Sequence, residues 1–514
     1  MVIYTHQAIT NLPEVEKAVM QLATKTKKTI LASWMSDKTY QQGKWSGLTE
    51  GQIPNYPFPE SAVDVFLKMY NYSRNIKLLY ETPLTVPQSF TPRIEQARSL
   101  LDRAIADGRR QLTEIEAKEL LRYYDMPVTE SRVTTSAEEA VKVAHELGYP
   151  VVLKIVSPDI GLKTDIGGVM LNLENDQDVK VGYEYIMNRV KTQEPDARIF
   201  GVSLEKMIFK RYELLIGSKK DPIFGPVIVF GMGGIMVEIF KDSSIGLPPL
   251  NMALAKHIIE ETKVYKLLKG YRGMPEMDIN AIQFLLFKFA YLVMDCPQIK
   301  EIDINLFVVD EAGGIILDAY VILDQTFKPD AHRPYSHLVI SPYPKQYVKT
   351  LILKNGKEVL LRPIRPEDEP LEKEMIAHFS RQTQYFRYFG YFAQISEDLL
   401  KRSTQIDYDR EIAIVAEVTE NDERSIIGEV RLLAEADNEM AEFAIAVADS
   451  WQGLGLGNEF TNYIISIARE RGVKCIYANV LKANRVMVHM FRSRGFQLKS
   501  IDFTTYYTEL RIDN

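Results

Sequence analysis

Cysteine is nearly absent from this chain. Its 514 residues include two, Cys296 and Cys475, far apart and without metal-ligand spacing. That excludes a disulfide framework and a cysteine zinc site and fits a reducing compartment. Long hydrophobic runs are missing as well. The most apolar stretch, AIQFLLFKFAYLVMDC (281–296), contains Lys288 and is too short to span a bilayer, so a buried helix is expected there. The first residues, MVIYTHQAITNLPEVEKAV, lack the basic and apolar blocks of a secretory signal. There is no excess of positive charge: 62 Lys and Arg stand against 69 Asp and Glu, a net charge of −7. Bulk binding to nucleic acid or to an anionic membrane is therefore not expected. Repeats, heptads and low-complexity tracts are absent too. What remains, 46% hydrophobic and 25% charged residues, describes a cytoplasmic globular protein with length for about three domains at ~150 residues each.

Along the chain, residues 1–80 read as part of an α/β unit. The helical pattern EVEKAVMQLA precedes the strand-like run TILASWM, and a Pro-rich turn leads to a second helix with Ser61 as its N-cap. Residues 81–95 carry three prolines and read as a linker. The segment 96–325 mixes helices with the strand-like runs VVLKIV, GVSLEKMI, PVIVFG and GIILDAYVIL. Residues 326–349 form a second Pro-rich connector. The last domain, 350–514, opens with TLILKNGKEVLLRPI, two strands joined at Asn355-Gly356, a strong hairpin signal.

The best chemical signal is AEFAIAVADSWQGLGLGNEFTNYIISIARERG (441–472). AEFAIAV reads as a strand, and the Gly-rich turn Gln452–Gly457 follows. A helix comes next, whose apolar residues Leu456, Phe460, Tyr463 and Ile467 share one face; Gly472 ends it. A glycine-rich turn at a helix start presents unpaired N–H groups and partial positive charge to an anion, and glycine lets a pyrophosphate approach closely. The plain alternative is a helix start with pliant glycines. Gln452-x-x-Gly455-x-Gly457 resembles the acetyl-CoA motif of the GNAT superfamily. LKANRVMVHMFRSRGF (481–496) is similar to that superfamily's closing segment. LRPIRPEDEP (361–370), YFRYFG (385–390) and TQIDYDREIAIVAEV (404–418) resemble the bacterial protein lysine acetyltransferases of the Pat type. The resemblance implies that Ile445, Ala446 and Val447 offer backbone groups to the pantetheine arm and thioester. It implies that Gln452, Gly453, Leu454, Gly455, Leu456, Gly457 and Asn458 hold the pyrophosphate and that Asn484 touches the cofactor further along. Glu442 matches the family's general base; without that match it reads more readily as an exposed strand-edge charge. Cys475, in the strand-like run KCIYANV, is expected to be buried and structural rather than an acyl carrier.

GYPVVLKIVSPDI (148–160), KTDIGGVMLNL (163–173), DPIFGPVIVFGMGGIMVEIFKDS (221–243) and EIDINLFVVDEAGGIILDA (301–319) resemble the ATP-grasp subunit of ADP-forming acyl-CoA synthetases. Residues 1–80 resemble the end of the CoA-ligase region that precedes it in Pat proteins; the Rossmann-like CoA-binding part in front is missing. The fold expected is therefore multidomain α/β, with a partial CoA-ligase segment, an α+β ATP-grasp domain and a C-terminal α/β GNAT domain. Glu301, Asp303 and Asn305 alternate with Ile302 and Ile304 and so share a strand face. With Asp318 on the next run, Asn305 is the expected ligand set for Mg²⁺ beside ATP; the plain alternative is a solvated face. Lys154 matches the family's phosphate-binding lysine, Glu205 lies at its nucleotide hinge, and GMGG (231–234) offers a phosphate loop. Where that family carries phosphate on a histidine, this chain has Leu162. Gly246 replaces an expected arginine, Leu306 a proline and Tyr320 another arginine. The leading expectation is an acetyl-CoA-dependent lysine N-acetyltransferase acting on proteins, metabolic enzymes among them, with room for a homo-oligomer. The alternatives are an acyl-CoA or nucleotide sensor without turnover, and an active ADP-forming synthetase.

Overall fold

The computed structural model of the chain describes residues 2–5, 11–26, 28–35, 53–80, 90–160, 163–234, 242–328, 330, 332–391, 395–420 and 423–512. Leu162, residues 81–89 of the first connector and 235–241 after GMGG lie outside these. Two compact units separate at Glu81/Thr82.

The first unit is α/β, as its pattern predicts. Strands β1 (Val2–Thr5), β2 (Ala32–Met35) and β3 (Asn55–Tyr56) pair in parallel. Helix α1 (Leu12–Thr24) crosses from β1 to β2, and α2 (Pro59–Tyr80) follows β3. Ser61 lies inside α2 rather than at its cap: Pro59, with its φ fixed near the helical value, opens the helix two residues earlier.

The second unit begins with α3 (Ile94–Ala106) and α4 (Glu114–Arg122), so the end of the first connector is already helical. Thr113 and Glu116 close a reciprocal capping box on α4. Strands β4 (Ser131–Thr134), β5 (Val151–Val156), β6 (Val169–Leu173) and β7 (Gly201–Lys206) form an antiparallel sheet in the order β4-β7-β5-β6. Helices α5 (Ala137–Leu147) and α6 (Asp176–Gln193) pack on it.

A second antiparallel sheet holds β8 (Tyr212–Asp221), β9 (Gly225–Met232), β10 (Ser243–Gly246), β11 (Ile299–Asp310) and β12 (Gly313–Ile316), with β13 (Tyr320–Leu323) paired to β11. The run GIILDAYVIL is thus two strands, broken where Leu317–Ala319 leave the ladder. Helices α7 (Met252–Glu260), α8 (Tyr265–Leu268) and α9 (Ile279–Asp295) cover this sheet. The buried helix expected from the apolar run is α9. Its Phe287, Phe289 and Leu286 are fully enclosed, each worth ~1.5–3 kcal/mol of hydrophobic burial. Lys288 escapes by donating to the Asp125 carbonyl at 2.6 Å and lying 4.5 Å from the Phe284 ring centre.

The second connector is packed rather than loose: Tyr343 donates to the Pro363 carbonyl at 2.9 Å and Tyr347 to Glu470 at 3.1 Å. From there β14 (Lys349–Ile352) and β15 (Glu358–Pro363) form the expected hairpin, Gly356 taking φ +80° in its turn. Helices α10 (Glu369–Ala377), α11 (Arg381–Tyr388) and α12 (Glu397–Thr404) follow. Then come β16 (Glu411–Glu420), β17 (Glu423–Ala434), β18 (Met440–Val447), α13 (Leu456–Glu470), β19 (Cys475–Leu481), α14 (Arg485–Ser493), β20 (Gln497–Ser500) and β21 (Thr505–Arg511). These strands make one sheet in the order β14-β15-β16-β17-β18-β19-β21-β20. One core lies between its α13–α14 face and those helices, another under α10–α12. Cys475 opens β19 and is only half-buried. Among the described residues no helix is long and apolar enough to cross a membrane.

Candidate acetyl-CoA cleft and buried lysine cluster

Most strands of the C-terminal sheet are antiparallel, but β18 and β19 run parallel, and their pairing stops at Glu442↔Tyr477. Beyond that point the two strands part. A cleft of about 670 Å³ opens there, lined by Glu442 through Val447 on one side and Ala478 through Val480 with Asn484 on the other. Beyond Glu442 β18 has no ladder partner on β19, while its other edge stays paired to β17 as far as Val447, and Ile445, Ala446 and Val447 line the cleft.

The glycine turn closes one end of the cleft. Gly453 and Gly455 take φ +75° and +97°, a left-handed region that side chains other than glycine resist. Gly455 is the N-cap of α13, and no side chain caps this helix. By contrast, Asn484 caps α14 by accepting from Met487 N–H at 3.2 Å. The first N–H groups of α13 therefore remain for an external anion. Gln452, Gly453 and Gly457 line the cleft. Gln452 uses its amide differently from a direct ligand: it donates to the Val447 carbonyl at 3.0 Å and to Thr383 Oγ1 at 3.3 Å, tying the turn to β18. Leu456 is buried in the core, and the Asn458 side chain accepts from Arg494 at 3.0 Å. Neither side chain lines the cleft, and the Asn458 N–H donates to the Gly455 carbonyl at 3.0 Å.

Helix α11 forms the remaining wall, which the sequence motif does not reveal. Gln382, Thr383, Phe386, Arg387 and Phe389 reach the cleft. Asp449 fastens this wall to the glycine turn, accepting from Ser380 N–H at 2.8 Å, Ser380 Oγ at 2.7 Å and Thr383 Oγ1 at 2.9 Å. Burial opposes its ionisation, but these donors outweigh burial and hold its carboxyl below the usual range. The signal available in the sequence was YFRYFG, which carries the family likeness without saying what it lines. Glu442 is exposed and lines the cleft at the last position of β18 that pairs with β19.

The other candidate site lies in the first sheet. Lys154, fully enclosed in β5, donates to Glu114 Oε1 at 2.7 Å, the Leu317 carbonyl at 2.8 Å and Glu205 Oε2 at 3.3 Å. Burial alone would lower its pKa; Glu114, Glu205 and Asp318 outweigh that and raise it. Lys118, missed in the sequence, donates to Glu205 at 2.5 Å and lies 2.8 Å from Glu114. Lys163 also pairs with Glu114. Burial raises the Glu114 carboxyl, but Lys154, Lys118 and Lys163 together hold it well below the usual range. Two buried lysines, the half-buried Lys163 and their carboxylates thus satisfy one another, as buried charge must. Glu205 also accepts from Thr129 and Ser131, each at 2.8 Å, so its oxygens are already occupied.

Glu301, Asp303 and Asn305 do share one face of β11. Burial, reinforced by Glu301 and Asp318, pushes Asp303 up to about 6, and its Oδ1 has no partner. Asn305 Oδ1 accepts from Gly234 N–H at 3.2 Å. Among the described residues no three His, Cys, Asp or Glu side chains gather as a metal cage. Mg²⁺ needs only one or two carboxylates when phosphate and water complete its shell, and Asp303 with Asp318 fits that. Of GMGG, the Gly233 and Gly234 N–H groups donate to the Glu213 carbonyl and to Asn305.

Residues 103–323 match the ATP-grasp domain family, and residues 377–496 match the acetyltransferase (GNAT) family. Over 231 residues the chain is 42% identical to the beta subunit of acetate–CoA ligase (ADP-forming) I of Pyrococcus furiosus, covering 45% of this chain and 99% of that subunit. Over 144 residues it is 35% identical to an acetyltransferase of Pseudomonas aeruginosa, covering 28% of this chain and 77% of that protein. The chain belongs to the ATP-grasp family of ADP-forming acyl-CoA ligase subunits and carries a GNAT acetyltransferase domain. It spans less than half of a fused relative: it is 36% identical over 305 residues to 4-hydroxybutyrate–CoA ligase (ADP-forming) of Nitrosopumilus maritimus, 59% of this chain and 43% of that ligase.

Within the ATP-grasp domain the departures from the synthetase pattern have structural counterparts. A Cβ on Gly246 would lie 2.3 Å from Ile258 Cδ1, so a side chain there requires Ile258 to turn aside. Tyr320 donates to Gln111 at 2.8 Å. In the GNAT domain the cleft, the left-handed glycine turn and the exposed Glu442 lie together.

Proposed function

We propose that the chain is an acetyl-CoA-dependent N-acetyltransferase whose acceptors are lysine side chains of proteins. The observation that carries this reading is the parting of β18 and β19 just beyond Glu442, above a helix start that no side chain caps.

In this reading the N–H groups of Gly453 through Gly457 hold the diphosphate with Asn458 beside them, and the edge of β18 at Ile445–Val447 that faces away from β17 aligns the pantetheine arm. The acceptor nitrogen approaches beside Glu442. A lysine of pKa ~10.4 is protonated at pH 7, and freeing the amine costs roughly 4–5 kcal/mol. Glu442, directly or through one water, takes that proton. The amine lone pair then forms the N–C bond to the thioester carbonyl carbon, whose developing oxyanion is met by β18 N–H groups. The C–S bond breaks, and the sulfur leaves as a thiolate of pKa ~8.5 on the cysteine reference; it takes up the remaining proton shed by the newly bonded nitrogen, so a strong general acid is not required.

The ATP-grasp domain is inferred to hold ATP with Mg²⁺ at Lys154, Asp303 and Asp318 without forming acyl-CoA. Its lysine cluster supports phosphate binding once Glu114 turns away, and Leu162 supports the loss of the phosphohistidine step. Glu442→Gln is expected to lower lysine acetylation by about 10²- to 10⁴-fold with the KM for acetyl-CoA unchanged. Mass spectrometry of acetylated acceptor proteins reads this. An unaltered rate removes Glu442 from the mechanism.

A further inference from the structure

We propose that Lys354, on the β14–β15 hairpin, is the counter-charge to the diphosphate of acetyl-CoA; this rests on the acetyl-CoA reading above. The glycine motif does not contain this residue, and the hairpin precedes the motif by a hundred residues.

The fold brings the two together. Lys354 N–H donates to the Leu454 carbonyl at 3.3 Å. On either side the hairpin is fastened to the same region: Lys349 Nζ lies 3.5 Å from the Tyr463 ring centre on α13, and Lys357 Nζ 4.9 Å from that of Trp451. The Lys354 side chain runs along the α-carbon of Gly455. A Cβ placed on Gly455 would lie 3.4 Å from Lys354 Cε, 3.7 Å from Cγ and 3.8 Å from Cδ. Its ammonium, one bond beyond Cε, therefore stands beside the residue that opens α13.

Neighbouring charges are already engaged. Lys357 pairs with Glu420. Glu459, in the first turn of α13, interacts with Lys349 and Arg494. Among the described residues Lys354 has no ion-pair partner. A lysine is a compact charge on a flexible stem, suited to phosphate oxygens whose positions the backbone N–H groups already fix. Removing it should cost affinity in the range between an exposed ion pair and a charged hydrogen bond.

The test uses the full chain as wild type, Lys354→Ala and Lys354→Arg. The donors are acetyl-CoA, acetyl-dephospho-CoA, which lacks the 3′-phosphate, and acetyl-pantetheine, which lacks the diphosphate. Lys354→Ala is expected to raise the KM for acetyl-CoA by about 3- to 10-fold at low salt with kcat unchanged. The same factor is expected with acetyl-dephospho-CoA and none with acetyl-pantetheine; Lys354→Arg recovers most of the loss. An unchanged KM overturns the proposal. So does an effect that vanishes with acetyl-dephospho-CoA, which assigns the charge to the 3′-phosphate. An equal loss with acetyl-pantetheine overturns it in favour of a structural role for the hairpin. If the wild type itself binds no acetyl-CoA, the acetyl-CoA reading fails first, and the two failures are told apart.

Discussion

Glu442 and Glu372 are carboxylates of one domain in opposite surroundings. Glu442 stands exposed at the cleft, whereas Glu372 on α10 is buried beside Glu429 of β17. Burial, then the Glu429 charge, pushes Glu372 up to about 8, against the pull of a 2.7 Å hydrogen bond from Ser403 and the charges of Arg431 and Arg387. Glu429 moves the other way: Arg431, which donates to it at 2.6 Å, and Arg387 outweigh its burial. A carboxyl raised in the folded state holds a proton that the unfolded chain has already released, so its effect on stability is unfavourable above the unfolded pKa and grows as pH rises. From about pH 4.5 to about 8 the folded GNAT domain is therefore expected to lose stability through Glu372. Glu372→Gln should flatten that slope in denaturant melts at pH 5 and 8. A slope identical to wild type would show that Glu372 ionises normally. At this scale the sequence singled out Glu442 and Lys154 through family likeness and the glycines through their spacing; the structure sets Glu442 and the turn at one cleft and buries Lys154. Glu114, Lys118, Glu372 and Asp449 were not legible: each gains its role from a partner distant in sequence.

At the scale of elements, local pattern was a reliable guide wherever one face or one turn decides the structure. The apolar run gave α9, Asn355-Gly356 the hairpin, and Leu456, Phe460 and Ile467 the buried face of α13. It misled where a bend competes with an apolar run, as at Leu317–Ala319, and where a proline rather than a serine opens a helix, as at Pro59. The start of α13 offers a test of what its glycines do. Gly455 has φ +97°, while Gly457 is helical with no heavy atom within 4 Å of an added Cβ. Gly455→Ala should cost about 1 kcal/mol or more of stability through backbone strain. Gly457→Ala should leave stability unchanged or slightly higher, since alanine favours helix, yet weaken acetyl-CoA binding by crowding the diphosphate. Thermal melts and calorimetric titration of both variants separate the effects; equal acetyl-CoA affinity in Gly457→Ala and wild type would place the diphosphate elsewhere.

The whole molecule couples an ATP-grasp domain of the acyl-CoA ligase family to a GNAT domain, families whose chemistry runs in opposite directions. A ligase makes the thioester; an acetyltransferase consumes it. Domain order and family were legible from motifs, but the parting of β18 and β19 that opens the cleft depends on long-range pairing, which no local window contains. Chromatographic measurement of CoA and acetyl-CoA in two mixtures tests the direction most directly. With acetyl-CoA and a lysine-rich protein but no ATP, free CoA should accumulate in step with acetyllysine. With acetate, CoA, ATP and Mg²⁺, acetyl-CoA should not form. Acetyl-CoA appearing in the second mixture, with no CoA released in the first, would contradict the account.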